Sequence, residues 1–308
     1  MGEVNSMSRL SRIVILLLVL AAAGLAAVWL LSKPNPLSAA GLPAHTPDAA
    51  NGKVLFNAAG CLSCHKPGPE LADADPSLPS GGAPFKTPVG TFFPPNLTPD
   101  PETGLGKWTD LEFVNAVQRG ISPEGENLIP AFPYTSYARM KTEDVLDIRA
   151  YLASLPPVVS PEKPADMPAP WILRRGVGLW KHLALDTTPW QPDTAQSAAW
   201  NRGAYLANGP GHCNECHTPR NLFMVPDMSR QFAGGPHPEG EGKVPSLRDL
   251  VGRGKYKDAA DLALAFQNGE MLGYENMSSG GMGAVQTNLS KLPQADVDAL
   301  SDYIVSLK

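Results

Sequence analysis

Four cysteines set the strongest limit on what this chain can fold into. They form two copies of one pattern, Cys61-Leu-Ser-Cys64-His65 and Cys213-Asn-Glu-Cys216-His217, and cysteine occurs nowhere else in the 308 residues. A single structural zinc could use four such thiols, but zinc ribbons space their pairs by roughly 15–20 residues. Here 148 residues lie between the pairs. A thioredoxin-like redox pair needs a βαβ context, of which the sequence shows no sign. Ordinary structural disulfides are a third reading. None of these requires histidine directly after both pairs. Covalent haem attachment does: each thiol bonds one haem vinyl group, and the next imidazole becomes the proximal iron ligand. The pattern reads as two covalently bound haem c groups, one on Cys61, Cys64 and His65 and one on Cys213, Cys216 and His217.

The surrounding sequence repeats with the motif. The first cysteines stand 152 residues apart, and so do two helical segments, Thr142–Leu155 and Gln294–Leu307. Between these ends, Phe113–Gly120 (FVNAVQRG) resembles Leu262–Gly269 (LALAFQNG). A glycine and an apolar stretch precede each cysteine pair, at Gly52 and at Gly203. The order is helix, cysteine pair, loop, helix, loop, C-terminal helix, made twice. Val145, Ile148, Leu152 and Leu155 share one helical face, as do Val297, Leu300, Ile304 and Leu307. Asp144 and Asp296 fall in the first turns, where negative charge complements the helix dipole. A length of 308 residues suits two domains. We expect an all-α chain, with domains at 45–156 and 196–308. A proline-rich linker with one short helix, Trp171–Leu185, fills 157–195. That helix suits a brace packed between the domains, or a membrane-surface helix. The 32 prolines and 29 glycines imply long irregular loops and few long strands.

Residues 1–33 carry Arg9 and Arg12 and then an unbroken apolar run, Ile13–Leu31. Nineteen residues give roughly 28 Å of helix, close to the hydrocarbon thickness of a bilayer. A cleaved signal peptide is the competing reading, but its apolar core is normally only ~7–15 residues. The preceding arginines keep the N-terminus cytoplasmic and export the remainder. The net charge of −5, with no basic block, gives no sign of nucleic-acid binding.

A sixth iron ligand is expected from the loop before each C-terminal helix. In the second half this loop contains Met277 and Met282; Met282 is the candidate and Met277 its alternative. In the first half the register puts Pro130 and Phe132 where a ligand should be, which leaves Met140. Met140 also aligns with Leu292, so it can be read as a core residue, and haem 1 would then have an open or exchangeable site. Each proximal imidazole needs a hydrogen bond on its other nitrogen; the carbonyls of Pro94 or Pro95, and of Pro245, are in position. His45, His182, His212 and His237 stand alone and read as surface or structural residues.

The stretches Asn96–Gly106, Pro130–Tyr137, Ala150–Pro157, Gly203–Leu206 and Gly211–Arg220 resemble bacterial membrane-associated dihaem cytochromes c. These are related to the cytochrome subunits of quinohaemoprotein alcohol, gluconate and other sugar dehydrogenases. The resemblance implies two class I cytochrome c domains in tandem, in the periplasm, anchored to the inner membrane. It implies electron transfer from a dehydrogenase toward a terminal oxidase, without catalysis by this chain. The chain departs from these subunits in carrying two haem motifs where they usually carry three, and in Phe132, where they often have methionine. A rival class is a dihaem enzyme of the peroxidase or thiosulfate-oxidising type, which needs one haem with a displaceable ligand.

Overall fold

The computed structural model describes residues 8–87, 90–168, 170–238, 242–271, 275–276 and 281–308. It is mostly helical. Helix α1 (Arg9–Leu31) is followed by α2 (Ala49–Ala58), α3 (Cys61–His65), α4 (Asp110–Val114), α5 (Tyr134–Tyr137) and α6 (Thr142–Ala153). Then come α7 (Pro170–Ala184), α8 (Ala198–Asn208), α9 (Asn214–His217), α10 (Ala259–Asn268), α11 (Met282–Leu289) and α12 (Gln294–Ser306). Helix α4 runs on as a π-type segment, Asn115–Arg119. Among the described residues, strand is confined to short antiparallel hairpins, such as Phe85–Thr87 paired with Gly90–Phe92. Helix starts follow local chemistry: Asp48 caps α2, a Thr109/Glu112 capping box opens α4, and Ser197 caps α8.

The helices pair in two equivalent sets. Helix α2 packs on α6, and α8 on α12. Each crossing depends on a glycine. A Cβ on Gly52 would lie 1.9 Å from the Asp147 carbonyl oxygen, and one on Gly203 would lie 1.8 Å from that of Ala299. Val145, Ile148 and Leu152 are buried beneath the first crossing, and Val297, Leu300 and Ile304 beneath the second. Polar anchors flank both. Asp147 accepts from the Asp48 N–H at 2.7 Å and Asn51 Nδ2 at 2.7 Å, and pairs with His45 Nε2 at 2.6 Å. Burial alone would raise its pKa, but these partners hold it below the ordinary aspartate value. In the second set, Arg202 forms a bidentate pair with Asp296, both bonds at 2.8 Å.

The two sets share one continuous apolar cluster. Across the join, Tyr205 Oη donates to the Asp144 carboxylate and accepts from the Lys141 N–H at 3.3 Å. Helix α7 braces this assembly. Lys181 Nζ donates to the carbonyls of Arg119 and Gly120 and to Asn127 Oδ1, at 2.7–2.8 Å, and Arg174 pairs with Glu126. Trp180 Nε1 donates to the Phe223 carbonyl in the second half at 2.8 Å. The brace also grips the end of α1, where His182 Nε2 lies 2.8 Å from the Leu31 carbonyl and Ser32 is almost wholly buried. A segment held this way fits a retained anchor better than a cleaved leader. One expectation needs correction: helical turns, α5 and α11, occupy the stretches expected as loops before the C-terminal helices.

Candidate haem centres

Each C-x-x-C-H motif folds around one short helix, α3 or α9, with Cys213 as the N-cap of α9, so the two thiols and the imidazole project from neighbouring positions. The two histidines are held identically. His65 Nδ1–H donates to the Pro95 carbonyl at 2.7 Å, and His217 Nδ1–H to the Pro245 carbonyl at 2.8 Å. A carbonyl can only accept, so the proton sits on Nδ1 and Nε2 keeps its lone pair. Burial lowers both imidazole pKa values against the opposing effect of the carbonyl, which favours the neutral, ligating form.

A second element of this clamp has no signature in the linear pattern. Gly81 N–H donates to the His65 carbonyl at 2.8 Å, and Gly234 N–H to the His217 carbonyl at 2.8 Å. Both glycines are left-handed, with φ of 73° and 71°, and both lie against the proline loop. A Cβ on Gly81 would sit 2.4 Å from the Pro94 oxygen, and one on Gly234 would sit 2.7 Å from the Pro245 carbonyl carbon. One glycine therefore fixes the histidine backbone and the loop that orients its ring.

Burial, then the neighbouring cysteine, pushes the Cys61 and Cys213 thiols up to about 12. Buried tyrosines stand near each motif. Tyr137 Oη donates to the Ala59 carbonyl at 3.0 Å, and Tyr303 Oη accepts from Asn208 Nδ2 at 3.1 Å. Paired thiols beside an imidazole tethered through Nδ1, in an apolar and aromatic setting, fit covalent haem c.

Met140 is 1% exposed and stands two residues before α6, with its carbonyl accepting from Gln118 Nε2 at 2.8 Å. It holds the place of buried Leu292 before α12. Met282 is the first residue of α11, partly buried against the core. Met277 lies outside the described residues. Gly281, beside Met282, has an ordinary helical φ and needs no special freedom. Phe132 stacks edge-on with Tyr134, ring centroids 5.3 Å apart. Of the isolated histidines, His45 serves the Asp147 cluster, His182 the end of α1, and His212 an edge contact with Tyr137 at 5.9 Å.

The two motifs also touch each other's half, in matching fashion. Ser63 and Glu215 are the same position of the two motifs. Ser63 Oγ accepts from Asn288 Nδ2 of α11 at 2.8 Å. Glu215 Oε1 accepts from Ser136 Oγ of α5 at 2.7 Å and from Thr135 Oγ1 at 2.8 Å. Ser136 and Asn288 are themselves repeat-equivalent, 152 residues apart. The halves therefore face each other reciprocally, as across a two-fold axis. Burial would raise the Glu215 pKa, but Arg220, then Ser136 and Thr135, keep it below the ordinary glutamate value.

Comparison with known proteins identifies the family. Residues 49–156 match the family model for cytochrome c. The chain is 39% identical over 284 residues to a "Diheme cytochrome c-type" protein of Cereibacter sphaeroides, covering 92% of this chain and 93% of that one. It is 33% identical to the fructose dehydrogenase cytochrome subunit of Gluconobacter japonicus, over 90% of this chain but 55% of that one. It is 32% identical to the gluconate 2-dehydrogenase cytochrome c subunit of Pantoea cypripedii, over 83% of this chain and 58% of that one. The chain thus spans nearly all of the first relative and little more than half the length of the other two. With two haem c groups and a single-pass inner-membrane helix that leaves the haem-bearing part in the periplasm, the chain belongs to the bacterial dihaem c-type cytochromes, proteins that carry electrons.

Proposed function

We propose that this chain relays electrons from a periplasmic dehydrogenase toward an oxidase or another cytochrome, through two haems in tandem class I cytochrome c domains at 45–156 and 196–308. The haems supply one-electron chemistry; the chain supplies attachment, ligands and enclosure. Cys61 and Cys64 would hold haem 1, with His65 and Met140 as iron ligands. Cys213 and Cys216 would hold haem 2, with His217 and Met282. The observation that carries this reading is the duplicated tether of an Nδ1–H to a proline carbonyl beside each thiol pair. Such a bond fixes the ring and raises its basicity toward iron. The burial of Met140 supports its assignment, and a methionine ligand raises the potential into the range of electron carriers. The names of the relatives support a dehydrogenase as donor.

The mature chain should carry the added mass of two haems. His65→Ala and His217→Ala should each remove one His/Met spectrum, and Met140→Ala or Met282→Ala one methionine-to-iron charge-transfer band. A variant that keeps both spectra would reassign its ligand. Co-purification from native membranes should recover a dehydrogenase. The equivalence of Met140 and Leu292 favours one alternative, an exchangeable site at haem 1. Rapid carbon monoxide binding to reduced haem 1 of the unaltered protein would establish it and reopen a catalytic role.

A further inference from the structure

Beside the periplasmic end of α1 lies a strip of apolar surface that is exposed among the described residues. Three features meet there. First, α7 is fastened to the end of the anchor: the Arg175 guanidinium lies 3.9 Å over the Trp29 ring, and a Cβ on Gly178 would sit 2.1 Å from the Ser32 carbonyl oxygen. Where α1 leaves the bilayer, α7 therefore lies beside it.

Second, α7 is amphipathic in an unusual order. One side, with Arg174, Gly178 and Lys181, faces the first half of the protein. The adjacent side, with Arg175 and His182, faces α1. Its outer edge carries no charge. Ile172 is 52% exposed and Leu183 is 63% exposed, with exposed Gly176 and half-buried Leu179 between them. A soluble helix would place polar residues on that edge.

Third, the far side of α7 meets a loop from the second half, where Trp180 Nε1 holds the Phe223 carbonyl. Successive residues of this loop point outward: Leu222 is 93% exposed, Phe223 61% and Met224 54%. The loop is nevertheless well ordered from within. Asn221 N–H donates to the Val225 carbonyl at 2.9 Å, Asn221 Oδ1 accepts from the N–H of Phe223 at 2.9 Å, and Arg220 donates to the Met224 carbonyl at 2.7 Å. Its backbone needs nothing further, so its three large apolar side chains are presented rather than displaced. Large contiguous apolar patches on a soluble surface mark interaction sites.

We propose that the outer edge of α7 and the Leu222–Met224 loop sit in the interfacial layer of the bilayer that α1 spans. The periplasmic leaflet covers both, and the chain is held at three points instead of swinging from one helix. The covering partner is lipid because the strip begins at the point where α1 emerges from it. Trp29 and Arg175 at that point have the amphipathic chemistry typical of membrane-interface anchors. Because Leu222 is five residues after His217, this seating brings the second motif close to the membrane surface.

Photoreactive labelling from the lipid phase tests this on the full-length, haem-loaded protein. It is reconstituted in phosphatidylethanolamine/phosphatidylglycerol vesicles containing a phospholipid with an acyl-chain diazirine, and adducts are mapped by mass spectrometry. Adducts on 222–224, Ile172 and Leu183 should exceed those on Leu264, an exposed leucine of α10, by about fivefold or more. Leu222→Asp should lower the loop's adducts to the Leu264 level with unchanged haem absorption. Equal yields at Leu222 and Leu264 would overturn the proposal, in one of two ways. High hydroxyl-radical reactivity at Leu222 would mean open solvent, and low reactivity would mean a protein partner. Undiminished labelling of the Leu222→Asp loop would also overturn it.

Discussion

Replacing Gly81 with alanine should disturb a haem without touching a ligand. Two costs follow from its geometry. At φ 73° a Cβ meets its own backbone, which costs roughly 1–2 kcal/mol. The same Cβ would fall 2.4 Å from the Pro94 oxygen, so the proline loop must retreat by roughly 1 Å to reach ordinary contact. His65 Nδ1 and the Pro95 oxygen, now 2.7 Å apart, would then separate beyond hydrogen-bonding range, at a further ~0.5–1.5 kcal/mol. The total is about 1.5–3.5 kcal/mol. An imidazole deprived of its carbonyl partner is also a poorer donor to ferric iron, so the potential of haem 1 should rise while that of haem 2 stays fixed. Urea unfolding followed by haem absorption gives the first quantity, and a redox titration resolving both haems gives the second. Gly234→Ala should reproduce the effect on haem 2 alone. Gly176→Ala, in a helix with open space at Cβ, should instead stabilise by roughly 0.5–1 kcal/mol. If Gly81→Ala unfolded within ~0.5 kcal/mol of the parent with both potentials unmoved, the clamp would have no energetic role.

Two further outcomes follow from the buried polar contacts. Asp147 has a folded pKa below its ordinary value, so its stabilisation is complete above the unfolded aspartate pKa and disappears as pH falls through the folded one. Acid titration of stability should therefore be shallower in Asp147→Asn, which should already be weaker than the parent by about 2–4 kcal/mol at neutral pH. Tyr205→Phe removes the partner of both the Asp144 carboxylate and the Lys141 N–H. It should cost about 1–3 kcal/mol, measured by denaturant unfolding.

Much of this was legible in the sequence because it is local or periodic. The faces of α6 and α12, the limits of α7 to within one residue, and the proline carbonyls opposite His65 and His217 all followed from spacing. What escaped was long-range. Nothing in the linear pattern marks Gly81 or Gly234, since their importance arises from a proline loop more than ten residues away. The partners of Ser63 and Glu215 were hidden for the same reason: motif positions written as "x" acquire meaning only when the other half is in place. Helices α5 and α11 were missed because four to eight residues are too few for a periodicity to emerge. The exposed loop at Leu222 passed unnoticed because three consecutive apolar residues read equally well as buried.

The matched contacts at Ser63 and Glu215 have a consequence for how such a chain could arise. A patch that binds its own copy would have let a one-haem ancestor pair with itself before duplication fused the two. The two contacts now differ: on one side a neutral Ser63/Asn288 hydrogen bond, on the other a Glu215 carboxylate accepting from Ser136 and Thr135. Split apart and mixed, each should choose the other over itself, an asymmetry that would keep neighbouring cytochromes in a crowded envelope from exchanging parts.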